Sequence, residues 1–561
     1  MTRKSTPGVL YAWVGLLLFL TFPAVGEAQY QAPPLPAAYA IENVTVVYAD
    51  GSQVPGVNIV VRRGLIQTVA PGAPIPPDAL VLEGDSLWIY PGMVDSHAGA
   101  DFEFPSSPEP DRVLSWAPPR EAQGFTPHRQ VAFFLTGGGA DFRSERTGGV
   151  IAAGVHPTQG MAPGQGVGIL LKKTTKTPWD LVTQPRLGLF FSFQGARGGY
   201  PSSLFAVVAF FRQAFEDAGR YGLLQSEFAR NPAGMTAPSW DPDLEVLREA
   251  ASGVVPVFFQ ADDDEDIRRA LALADEIGFR PIIMGGEESW QVAGELAARG
   301  VPVLLSVAFP RPSQWKASED GLEASMDGPA LEPAAAREKE RLENAYSTAA
   351  RLEEAGVTLA LTSGGGRGDL REGARKAIQY GLSEGAALRA LTSTPADLLG
   401  MPSLPNLAPG MAANFIVTDG PLFDESTRIR YTFVEGELER GREAAKGDGG
   451  ATPTVDVTGT WNVSVVAQGM EMSFAMILVQ DGASFSGSMT GGEMGDAQVK
   501  DGSISGDSVD FTLVFSMGTE TLEMASSATV DGDQMTGTGS SSMGGFTFTG
   551  TREPGKKGGD R

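Results

Sequence analysis

His97 closes the stretch Pro91-Gly92-Met93-Val94-Asp95-Ser96-His97, which follows the apolar run Leu87-Trp88-Ile89-Tyr90. Such a run reads as a buried strand, so the imidazole stands at its carboxyl tip. Two imidazoles on alternate strand positions project to one face and can share a divalent metal. The alternate position here is Gly99. A lone imidazole does not make a metal site, and further ligands would have to come from elsewhere. The chain has no cysteine, hence no thiolate ligand and no disulfide, and only two other histidines, His128 and His156.

The elements that must position these groups alternate along the chain. Val254 to Phe259 is an apolar run followed by helical spacing from Asp266 to Ile277, with Ile267, Leu271, Leu273 and Ala274 on one face. Pro281 to Met284, Val301 to Leu305 and Val357 to Leu361 repeat the strand pattern, with a helical stretch from Gln291 to Arg299. Regular alternation of strand and helix over about 300 residues predicts a parallel sheet closed into an eight-stranded (β/α)8 TIM barrel at residues 91–404. Before it, residues 29–37 read as a linker, and β-branched runs such as Asn43 to Val47 and Val57 to Val61 read as short strands with turns at Asp50-Gly51 and Arg63-Gly64.

Residues 441–454 read as a second linker. From 455 to 553, short alternating strands separated by Asp481-Gly482, Asp501-Gly502, Gly506-Asp507 and Asp531-Gly532-Asp533 predict an antiparallel meander closing into a small β-barrel. Methionines recur there (Met470, Met472, Met476, Met489, Met494, Met517, Met524, Met535, Met543). Thioethers can hold Cu(I), but methionine on alternating strands is expected as core filler.

Net charge −25 and a pI near 4.6 give a surface that repels phosphate backbones, which argues against nucleic acid as a partner. Arg3 and Lys4, then an apolar run from Val9 to Phe22, then Gly26-Glu27-Ala28, have the order of a secretory signal cleaved after Ala28. At about 14 residues the run is short for a bilayer span. A periplasmic or extracellular location, with no stable membrane span after cleavage, is the expectation.

The stretch from Pro91 to Gly99 resembles the signature of the amidohydrolase superfamily, and the resemblance extends over roughly Ile41 to Leu438. Gly149 to Pro157 with Gly164-Gln165-Gly166 is similar to imidazolonepropionase-like members, as are Gly381 to Thr392 and Leu407 to Asn414, where Asn414 replaces a usual aspartate. The resemblance implies a composite sandwich formed by residues 29–90 and 405–440, with Asn414 to Gly420 and Tyr431 to Gly436 returning to it. It also implies zinc or another divalent metal at the carboxyl ends of the barrel strands, making a bound water nucleophilic. At the positions it assigns to the other ligands stand Gly99, Gln260, Gly285 and Gly364. His97 is then the remnant of a metal site, and no bound cofactor is expected unless the protein is active.

His97, His156, Gln260 and Arg367 are the candidates for a substrate pocket. His156 could face the same mouth, though a loop histidine is more commonly a hydrogen-bonding group; His128 is expected at the surface. Asp262 to Asp266 could gather a cation or cap a helix, and Asp369 and Glu372 carry the same pair of readings. Gly364 to Gly368 offers N–H groups and a guanidinium to an anion or is simply a flexible loop. One of Lys172 and Lys173 resembles a bridging lysine with nothing to bridge. The leading expectation is a non-catalytic relative of the amidohydrolases that binds a small molecule or partner at the barrel mouth. The alternatives are a hydrolase of C–N bonds in amides, cyclic amides or dipeptides, using one metal on His97 and nearby carboxylates, and an envelope scaffold that binds through the terminal β-barrel.

Overall fold

The computed structural model describes residues 38–82, 86–105, 118–196, 199–310, 331–441, 454–467, 470–482, 484–490, 497–517, 520–541 and 544–552. The expected signal segment, the linker after it and all but the ends of the linker at 441–454 lie outside them, as do Met494 and Met543.

Ala38–Val47, Gln53–Arg62 and Leu65–Pro71 form an antiparallel meander whose turns need positive φ at Gly51, Arg63 and Gly64. Trp88–Pro91 pairs with the first of these strands and, on its other side, antiparallel with Phe415–Thr418, which continues into Ile429–Val434 and Glu437–Arg440. Phe415 thus lies opposite Pro91, the pairing expected of a chain that returns to its first sheet. Ala79–Leu82 joins the far end of the first strand, so this one eight-stranded sheet splits around a shared core of Ile41, Ile59, Ile89, Phe415 and Phe433.

Between its halves lie two further sheets. The first orders Met93–Asp95, Val150–Val155, Val167–Leu170 and Val182–Gln184 side by side. The second orders Gly164–Gln165, Leu189–Ser192, Pro256–Ala261, Arg280–Gly285, Val303–Ser306 and Leu359–Thr362. Met93–Asp95 and Val150–Val155 are parallel, and so are the last five strands of the second sheet. Val167–Leu170 runs antiparallel to Val150–Val155, and Gly164–Gln165 antiparallel to Leu189–Ser192, against the expectation of parallel strands throughout. The reason is the connection: a parallel crossover needs a dozen or more residues, usually a helix, and the link from Val155 to Val167 is too short and has no helix.

Strand periodicity places alternate side chains on opposite faces. Val94, Ala152, Leu170, Phe190, Phe258, Met284, Leu304 and Ala360, drawn from both sheets, meet in one buried cluster. Their neighbours Leu189, Phe191, Val257, Phe259, Ile283, Val303, Leu305 and Leu361 pack with helix residues such as Val207, Leu271, Leu296 and Ala374. The helix Asp264–Ile277 illustrates how the covering layer forms: the Asp263 side chain accepts from Asp266 N at 2.7 Å, Ile267, Ala270, Leu271 and Ala274 are buried, and Gly278 at φ +99° ends it.

The terminal part is a closed antiparallel barrel of eight strands from Gly459–Ala467 to Gly544–Arg552, the first paired with the last. Its interior is filled by Trp461, Phe474, Leu478, Phe485, Phe511 and Phe515, with Met476, Met489, Met524 and Met535 buried among them as core filler. The Trp461 indole N–H donates to Val457 O at 2.9 Å, which satisfies its one polar atom. Among the described residues no helix is long and apolar enough to cross a membrane.

Candidate functional site

The Asp95 carboxylate ties the first parallel strand to the last. Its Oδ1 accepts from Thr362 Oγ1 at 2.7 Å, from His97 N at 3.1 Å and from Ser363 N at 3.1 Å. His97 O accepts from Gly365 N at 2.8 Å and Thr362 Oγ1 at 3.0 Å. Gly364, Gly365 and Gly366 therefore fold over the imidazole, with φ of +69°, +83° and +80°, backbone that only glycine adopts freely. Their N–H groups are directed inward: Gly364 N to Thr362 Oγ1, Gly365 N to His97 O and Gly366 N to Ser363 Oγ. The reading of this loop as a backbone anion cradle is corrected, because the donors it would offer already seal the strand junction.

His97 is 7% exposed, and among the described residues no hydrogen bond to its ring is formed. Burial holds its pKa down at about 4, with Asp95 opposing the shift and Arg367 adding to it. His156, a candidate for the pocket, is buried beside His97, its ring centre 5.8 Å from that imidazole and 4.5 Å from Phe258, and takes the hydrogen-bonding role more common for a loop histidine. Its Nε2 donates to Ser96 O at 3.1 Å, and Nδ1, like Ser96 Oγ, is buried without a partner. Gly166 is required here, since a β-carbon at that position would stand 2.6 Å from Nδ1. Burial and the neighbouring His97 push His156 down to about 3.

Above the histidines lies a polar layer. Gln260 donates Nε2–H to Asp262 Oδ2 at 2.9 Å. Solvent reaches Asp262, yet its carboxyl is packed down over Gly285, and the resulting desolvation pushes its pKa above the ordinary carboxylate range. Glu287 is pushed up too, by burial and then by Asp262. Arg367 donates Nε–H to Gly364 O at 2.7 Å, and its charge bears on both Asp262 and His97.

The glycines at the expected ligand positions are not vacancies. A β-carbon on Gly285 (φ +92°) would overlap Asp262 Oδ1 and stand 2.7 Å from Gln260 Nε2. One on Gly364 would overlap Ser306 Oγ and reach 3.4 Å from Arg367 Nη2; one on Gly99 would stand 3.1 Å from Gly365 O. Among the described residues, no three His, Asp or Glu side chains are arranged to hold a metal ion.

Most of the remaining candidates are engaged in contacts within the fold. Asp263 and Asp369 cap helices, Asp369 Oδ1 accepting from Glu372 N at 2.8 Å. Lys172 pairs with Glu435 at 3.0 Å and Lys173 with Glu439 at 3.5 Å, on the first sheet rather than beside His97. His128 is only half-exposed, because Asp243 in the first turn of Pro242–Ala251 reaches its Nδ1 at 2.5 Å. Asn414 Oδ1 accepts from Glu435 N at 2.7 Å. Sequence reasoning passed over Asp95, Ser306 and Thr362 as site groups and set Asp262 within a charge run. The polar residue after an apolar strand core was the available signal for Ser306 and Thr362.

No protein-family model matches this sequence, and no curated protein sequence does. Among solved structures, the chain is similar to an amidohydrolase from Thermotoga maritima MSB8 at 21% identity and TM-score 0.56, over 72% of this chain and 100% of that one. A prolidase complexed with N-methylphosphonate-L-proline aligns at 16% identity and TM-score 0.41, over 72% of this chain and 100% of that one. A zinc-bound adenosine deaminase from Xanthomonas campestris aligns at 17% identity and TM-score 0.38, over 73% and 94%. The likeness rests on the first of these, and over the aligned part of the chain the fold is that of an amidohydrolase.

Proposed function

We propose that this protein is an exported relative of the amidohydrolases in which the metal centre has been replaced by a closed polar mouth that binds a small ligand without hydrolysing it. We read its two inner sheets as one (β/α)8-type barrel, supported by the cluster to which both contribute. The observation that carries the functional reading is the filling of the ligand positions. Asp262 covers Gly285, Ser306 covers Gly364 and the Gly365 carbonyl approaches Gly99. The residues present do not fit a zinc centre: besides His97 only the buried Nδ1 of His156 is left on that side, among the described residues no third His, Asp or Glu joins them, and a guanidinium bears on His97 and Asp262 where a cation would have to compete with it. The solvent-facing groups, Arg367, Asp262 and Gln260, suit hydrogen bonding to a small polar molecule, with His97 at its floor. On this reading residues 1–28 serve as an export signal, and the protein works in the periplasm or outside the cell.

A second reading is favoured by one feature, the Asp262 carboxylate standing where a side chain from position 285 would begin. It could act with His97 on a single metal in C–N hydrolysis. The test is turnover of N-acetyl amino acids, cyclic amides and dipeptides by the purified protein with added zinc, manganese or iron(II). We expect none above a His97→Ala control. Metal-dependent turnover that His97→Ala abolishes contradicts the binding reading and establishes the second.

A further inference from the structure

A cavity of about 670 Å³ opens beside the mouth, past the carboxyl ends of Val303–Ser306 and Leu359–Thr362. That volume is within the range of small-molecule sites, about 300 to 1,000 Å³. It shares Arg367 with the mouth but none of His97, Gln260 or Asp262. Its wall combines three cations, Arg367, Arg375 and Lys376, with carboxylates that include Glu372, Glu384 and Asp424. Apolar walls come from Phe309, Tyr346 and Phe423.

These opposite charges do not neutralise one another. Glu372 and Lys376 stand at i,i+4 on the helix Leu370–Gln379, the order that favours an ion pair. No such pair forms among the described residues; the Lys376 ammonium lies over the rings of Tyr346 at 4.8 Å and Tyr380 at 5.6 Å. Arg367 and Arg375 donate to backbone carbonyls, of Gly364 at 2.7 Å and Glu425 at 3.4 Å, and among the described residues not to carboxylates. A simple anion would meet the carboxylates, and a simple cation would meet the three basic groups. A molecule carrying both charges satisfies both sets.

We propose that this cavity binds a small zwitterion with an apolar side chain, of the amino-acid or dipeptide class, its carboxylate facing Arg375 and Lys376 and its ammonium facing Glu372 and its neighbours. The proposal does not rest on the metal-free reading of the mouth. Glycylphenylalanine, its N-acetyl form and its C-terminal amide would be titrated calorimetrically into the full chain. We expect the free dipeptide to bind and each capped form to bind about tenfold more weakly or worse, since each loses one charge-assisted interaction. Lys376→Gln and Glu372→Gln, both on a partly exposed helix face, should weaken the dipeptide to a similar degree with the melting temperature unchanged. Asp262→Asn, in the mouth, should leave it unaltered. Absence of dipeptide binding, equal binding of either capped form, or indifference to both helix variants would overturn the proposal. Loss through Asp262→Asn alone would move the binding to the mouth and overturn it also.

Discussion

The two barrel-like interiors of this chain are built on opposite principles. In the terminal barrel the inward side chains are predominantly apolar, and Trp461, Phe485, Phe511 and Phe515 leave the centre filled. At the mouth of the parallel strands the inward positions include His97, His156 and Gln260, with consecutive glycines of positive φ beside His97 and with His156 Nδ1 and Ser96 Oγ buried unpartnered. The first arrangement draws its stability mainly from apolar packing. The second holds polar groups that cost free energy to bury, which a chain keeps where a site needs them.

The contrast is broken most forcefully from the apolar side. Trp461→Ala removes a fully buried indole and its bond to Val457 O, and should destabilise the terminal barrel by about 3–5 kcal/mol. Thermal denaturation followed by near-ultraviolet circular dichroism would record it. A change below about 1 kcal/mol would mean the interior is not packed as described.

The polar side should respond to pH. His97 and His156 have folded pKa values near 4 and 3, below the ordinary 6.5, so the unfolded chain takes up protons first as pH falls. The stability they supply is therefore complete above about pH 6.5 and is lost between there and pH 4 to 3, about 3 kcal/mol from His97 alone. Urea midpoints across that window should fall on acidification, and less steeply in His97→Gln. Equal slopes in the two proteins would show that His97 is not buried in neutral form.

A smaller effect tests the filled strand ends. Gly285→Ala combines positive φ with overlap on Asp262 Oδ1, and should cost about 1–3 kcal/mol, whereas Gly51→Ala, at φ +86° but in open space, bears only the backbone term of about 1 kcal/mol. Pairing Gly285→Ala with Asp262→Ala should recover part of the loss. Indistinguishable midpoints for the two glycine variants would remove the overlap from the account.

How far the sequence carried depends on the range of the interaction. The strands Leu359–Thr362 and Val303–Ser306 and the cap at Asp263 were legible because apolar periodicity and capping are local. The antiparallel strand Val167–Leu170 was not, since its direction follows from a connection without a helix rather than from its own residues. The sequence set Gly99, Gln260, Gly285 and Gly364 at the positions that the resemblance assigns to ligands. That Asp262, Ser306 and a carbonyl from Gly365 occupy the space beside the three glycines depends on contacts between different strands. For His156 the hydrogen-bonding role was the more common reading of its type, but its partner, the backbone carbonyl of Ser96, is one that no spacing announces.

The central claim, that the mouth is a rebuilt polar site rather than an emptied metal site, is tested most directly by elemental analysis of the protein purified without chelators. Zinc, iron and manganese together should total well below one equivalent per chain, and His97→Ala should not alter that figure. One or two equivalents that disappear with His97→Ala would show a metal centre at work and would contradict the account.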